Sequence, residues 1–102
     1  MESKSVKRLY NEAKKAMQNG KWKIGRDLAL DIIKEEPEYL LGWTLLFIFE
    51  VRESVMKSTE SLKKYEIQDI PFDILEKQAT EKKVLAFKTN FINQLKKKID
   101  KE

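Results

Sequence analysis

Acid–base chemistry in this chain would have to come from carboxylates and amines, because it contains neither histidine nor cysteine. Thiolate nucleophiles, imidazole catalysis, disulfides and the usual zinc ligand sets are thereby excluded. Close acidic pairs occur at Glu35 with Glu36 and at Glu50 with Glu53. Polar helix faces produce such pairs routinely. Glu50 is the most unusual carboxylate, since it interrupts an apolar run. Its expected place is a helix rim or the vicinity of a lysine, not the role of a general acid. There is no glycine-rich phosphate loop, nucleophile elbow or His/acid constellation. The reading is a protein without catalytic residues, cofactor or metal.

The remaining chemical feature is basic. Lys96, Lys97 and Lys98 form one dense run, placed where cations complement the C-terminal end of a helix. The net charge is +4, from 21 basic and 17 acidic residues interspersed along the chain. That is the pattern of a salt-bridged helical surface and a smaller bias than nucleic-acid recognition usually shows. A nucleic-acid-associated helical protein is the third reading, after a protein-binding adaptor and a structural subunit or homodimeric bundle.

These residues have to be positioned by a single domain of 102 residues, 41% of them hydrophobic and 37% charged. The opening MESKSVKRLY lacks the apolar core of a signal peptide, so the expected location is cytoplasmic. The most apolar stretch, 11 residues between Glu38 and Glu50, falls short of the ~20 a membrane-spanning helix needs.

The periodicity is helical throughout. Val6, Leu9, Tyr10, Ala13, Ala16 and Met17 recur at three- and four-residue steps, and Asn19-Gly20 stops the helix. Trp22, Gly25, Leu28, Ala29, Ile32 and Ile33 form the next stripe, which ends at Glu36-Pro37. Tyr39 to Val51, apolar on all sides, predicts a central helix flanked by neighbours. Ser58 or Thr59 could cap a short helix over Ser61–Glu66, with Ile67–Phe72 as a connector. From Asp73 to Ile99 there is neither glycine nor proline. That predicts one long helix, or two with a break near Thr80.

Pro37 and Pro71 lie 34 residues apart, as do Leu9 and Trp43. A helix–turn–helix period of this length marks an α-helical repeat. With Ala13 and Gly25 as small crossing residues, Gly20 and Trp22 at the turn, and the terminal Pro37, the stretch from Leu9 to Trp43 resembles a tetratricopeptide repeat. Trp43, Leu46, Leu62 and Pro71 carry the pattern into a second, degenerate unit, in which Phe47, Glu50 and Ser54 depart from it. The implied fold is all-α. Repeat-like units span about 4–37 and 38–71, and a C-terminal capping helix spans about 72–100.

The resemblance further implies a concave groove lined by the first helix of each unit. It would present Lys7, Tyr10, Lys14 and Met17, then Leu41, Thr44, Ile48 and Val51, and finally Leu75, Gln78, Lys82 and Leu85. Such a groove has an apolar floor and a basic edge, suited to a peptide or helix of a partner protein. Leu45 and Ile48 at its middle leave no room for a polar carboxylate clamp. The far half of the last helix carries Phe87, Phe91, Ile92, Leu95 and Ile99, which need a cover. Either the chain folds back after a break near Thr80, or a second copy forms a homodimer there.

Overall fold

Gly20 sets the first corner. The computed structural model describes residues 4–59 and 71–100, and over these it forms α1 (Lys4–Gln18), α2 (Trp22–Glu35), α3 (Leu40–Thr59), α4 (Phe72–Gln78) and α5 (Glu81–Asp100). Gly20 has φ +81°, a left-handed conformation that costs glycine nothing. Its N–H donates to the Met17 carbonyl (3.1 Å) while the Lys21 N–H donates to that of Ala16 (2.8 Å). These two bonds satisfy the last carbonyls of α1 and turn the chain back on itself.

The α1–α2 crossing is as tight as the small residues predict. A Cβ on Gly25 would stand 3.0 Å from the Ala13 carbonyl oxygen and would run into the Met17 side chain. Gly42 does the same for the α2–α3 crossing, where a Cβ would lie 2.7 Å from Ile32 Cγ2. The sequence reading gave Gly42 no role. Its signal is the one glycine in an apolar helix, tolerable only where a neighbour comes close.

Glu36 closes α2, its N–H bonding the Ile32 carbonyl at 2.8 Å. Pro37 then starts the corner into α3, and the Trp43 indole donates back to the Pro37 carbonyl at 2.8 Å. Buried Trp43 thus satisfies its only polar atom on the corner that precedes its own helix.

α3 runs for 20 residues, past Val51 and through Ser54, the position that corresponds to Gly20 one period later. There is no corner at that position because no glycine or proline stands there to make one. Leu45, Ile48 and Phe49 of α3 join a core with Val6, Ala13, Met17, Trp22, Ala29, Ile32, Phe72 and Leu75. Trp43 and Leu46, on another side of α3, form a second core with Val84. Phe47 is half-buried rather than inaccessible. The short helix expected over Ser61–Glu66, with Leu62 and the connector up to Ile70, lies outside the described residues.

Of the two arrangements open to the stretch over 72–100, one long helix or two with a break near Thr80, the structure has the second. Ala79, at φ −82° and ψ 70°, leaves the α region, and the Thr80 hydroxyl accepts the Lys83 N–H at 3.3 Å as the N-cap of α5. Ala79 packs against both cores, so the break lies at the junction between them.

Two substitutions test this packing. Gly25→Leu should destabilise by roughly 1–3 kcal/mol through overpacking, and a thermal melt matching the parent would refute the crossing. Leu46→Ala should cost about 2–5 kcal/mol. With Trp22 replaced by Phe, iodide should scarcely quench Trp43 fluorescence.

Candidate interaction surface

α4 packs against both α1 and α3. Phe72 stacks at a tilt on Trp22, with ring centroids 6.5 Å apart. Leu75 enters the core that contains Met17 and Ile48, and Tyr10 and Val51 pack at its margin. The seam between α1 and α3, expected to stay open as a groove, is filled by the chain's own α4. Met17, Ile48 and Leu75, at 1%, 0% and 4% exposure, are core residues and not a ligand surface. The physical reason is the break at Ala79–Thr80, which frees α4 from the direction of α5 and lets its apolar side turn inward.

An ion pair closes the seam on its outer side. Lys14 Nζ lies 3.2 Å from Glu76 Oε2, with both side chains about a third exposed. The hydrogen bond to Glu76 raises the Lys14 pKa, outweighing the opposing effect of partial burial. Burial raises the pKa of the adjacent Tyr10 phenol, and the Lys14 charge offsets part of that rise.

The other expected groove residues are scattered in their accessibility. Lys7, Gln78 and Lys82 are exposed, and Leu41 and Leu85 are exposed apolar side chains. Thr44 is half-buried and donates its hydroxyl to the Leu40 carbonyl at 3.1 Å.

α5 runs antiparallel to α3. Phe47 meets Phe87 (5.7 Å between centroids) and Trp43 meets Phe91 (5.4 Å), so numbers rise along one helix as they fall along the other. Phe87, Phe91 and Ile92, assigned from sequence to assembly with another copy, are half-buried against the chain's own Trp43 and Phe47. This is the fold-back arrangement. Phe91 already lies opposite the first turn of α3, so the last turns of α5 project past that helix. Exposure rises accordingly, to 48% at Leu95 and 70% at Ile99.

Leu85, Ile92, Leu95 and Ile99 are separated by seven, three and four residues, which sets them along one strip of α5. Lys82, Lys88, Lys96 and Lys98 stand three or four positions from one or another of them. The sequence reading divided this strip into a groove part (Lys82, Leu85) and an assembly part (Ile92, Leu95, Ile99). The seven-residue spacing that unites them is legible in the sequence once the helix is known to start at Glu81.

Charge is equally concentrated. Over α5, six lysines face two acids, Glu81 and Asp100, a net of +4. This equals the net charge of the whole chain, so the remaining residues balance at 15 basic against 15 acidic.

On the opposite side, Lys23, Arg26, Asp27, Phe49, Glu50, Glu53 and Lys57 line a shallow cleft between α2 and α3. Glu50 is exposed where it lines this cleft. The Arg26 guanidinium lies over Phe49 at 5.6 Å and that of Arg52 over Trp22 at 4.6 Å. These contacts cover apolar rings at the edge of the core. Among the described residues no acidic cluster is placed to hold a metal ion, and no helix is long and apolar enough to cross a membrane. No family model matches the chain, and no curated protein or solved structure matches it.

The α4 seat should weaken in alkali. Folding raises the Tyr10 and Lys14 pKa values above 10.0 and 10.5. A group raised on folding contributes its stability below the unfolded value and loses it as pH rises through the folded one. Urea unfolding should therefore show lower stability at about pH 11 than at about pH 8, with a smaller drop in Tyr10→Phe and in Glu76→Gln. An unchanged drop in both variants would disconnect these groups from the effect.

Proposed function

We propose that this chain is a small helical adaptor, built on a tetratricopeptide-like hairpin, that holds a protein partner on the outer strip of α5. The hairpin reading is supported by the left-handed Gly20, the tight Gly25–Ala13 crossing and the corner at Pro37. The adaptor reading rests on one observation above the others. Leu85, Leu95 and Ile99 are 45%, 48% and 70% exposed along one strip of a helix whose neighbouring side is already packed on α3. A row of large aliphatic side chains at helical spacing is the form of a helix-docking ridge.

The groove of the tetratricopeptide type is therefore displaced in this proposal. The face between α1 and α3 is occupied from within, and the contact surface moves to the last helix, with Leu85 and Lys82 common to both. Leu41 and Lys7 remain outside it. A cytoplasmic location agrees with the reading but is not needed by it.

Site-specific photo-cross-linking separates this surface from the rest. A benzophenone side chain at Leu95 should form one discrete adduct in cells that make the protein, and one at the equally exposed Ile24 should not. Equal adducts from both positions, or none from Leu95, would remove α5 as the docking element.

A further inference from the structure

Resting on that reading, we infer that the occupant of the α5 strip is an acidic amphipathic helix of another protein. The first argument is shape. Exposed Leu85 and Ile99 and half-buried Ile92 follow seven-residue spacing, with exposed Leu95 between Ile92 and Ile99, which is the narrow seam along which two helices pair. From Leu85 to Ile99 the strip is ~21 Å long, at ~1.5 Å per residue. A partner helix of about four turns covers it.

The second argument is charge. α5 carries the entire net charge of the chain, and with Leu85, Ile92 and Ile99 at one seam position, Lys82, Lys96 and Lys98 stand at the flanking positions where paired helices place their selective charges, while Lys88 is held by Glu38. Carboxylates on the partner's flanks would meet lysines near both ends of the strip. A second copy of this chain would instead bring one +4 helix against another, which like-charge repulsion disfavours.

Two other anionic surfaces share the attraction to lysine but not the shape. A bilayer receives a wide apolar face, and here the aromatic part of that face, Phe87 and Phe91, is turned onto Trp43. Nucleic acid offers phosphates to the lysines and nothing to the row of leucine and isoleucine between them.

The test uses the full chain and three synthetic helical peptides of four heptads, with Leu at the a and d positions. They carry Glu, Gln or Lys at the flanking e and g positions. Titration followed by fluorescence anisotropy should give binding of the Glu peptide, about tenfold weaker binding of the Gln peptide, and none of the Lys peptide. Leu95→Ser with Ile99→Ser should abolish Glu-peptide binding while circular dichroism stays unchanged, since both side chains are exposed. If the Glu and Gln peptides bind equally and the double variant loses both, the docking strip stands and its acidic specificity is overturned. If no peptide binds, or the double variant binds like the parent, the strip itself is overturned. Phosphatidylserine vesicles or a single-stranded RNA binding more tightly than the Glu peptide would replace the protein partner with that surface.

Discussion

The burial of α3 on more than one side is the constraint on which the rest of this structure depends. A helix that reads Leu-Leu-Gly-Trp-Thr-Leu-Leu-Phe-Ile-Phe has no polar side to offer water, so neighbours must cover it all round. The α1–α2 hairpin does not cover all of it. Leu45, Ile48 and Phe49 pack in the core shared with that hairpin, and Trp43, Leu46 and Phe47 share their cluster with Leu30 and Ile33 of α2 and need a further cover. The C-terminal segment is recruited to that task, which requires it to fold back antiparallel and to break where its two halves take different directions. Gly42 permits the close approach to α2. The Trp43 indole, bonded to the Pro37 carbonyl, lets a large aromatic ring enter the second core without an unsatisfied donor.

The same constraint explains why the α1–α3 seam is closed. Once α5 is committed to the Trp43 side, the preceding helix of roughly two turns is held beside α1 and α3 by its connection at Ala79–Thr80. Phe72 and Leu75 have apolar surface to bury there, and Glu76 meets Lys14 at the edge. The ion pair is partly solvated and adds little by itself. The two buried side chains supply the larger share, at ~1.5–3 kcal/mol each before entropy is counted. A surface that repeat geometry would leave concave and open is thus spent on internal stability.

In the proposed reading the contact surface is displaced along with it. Surface used for packing cannot also receive a ligand, and the last turns of α5 leave Leu95 and Ile99 exposed. Aliphatic exposure and positive charge coincide on that helix, whereas the remainder of the molecule is electrically balanced. A helix that both seals the core and extends beyond it supports the docking element from one side, which limits the ordering cost when a partner binds.

The sequence by itself determined α1 and α2, the corners at Gly20 and Pro37 and the Gly25–Ala13 crossing. Gly20, Gly25, Ala13 and Pro37 act through local sterics, and the apolar period of α1 and α2 acts through local geometry, so both are readable without knowing what lies across the core. The absence of histidine and cysteine likewise settled which chemistries are closed to the chain. Thr80 was legible as a break because an N-cap works within four residues. Which way the two halves turn at that break was left to the tertiary structure. Met17, Ile48 and Leu75 have the same apolar character whether they line a groove or fill a core, and only the position of α4 distinguishes the two. Phe87 and Phe91 could have met a second copy or the chain's own Trp43, and the choice depends on how much of α3 the hairpin leaves uncovered. Periodicity records which side of a helix is apolar. What covers that side is a property of the whole packing, because it depends on areas contributed by segments far apart in the chain.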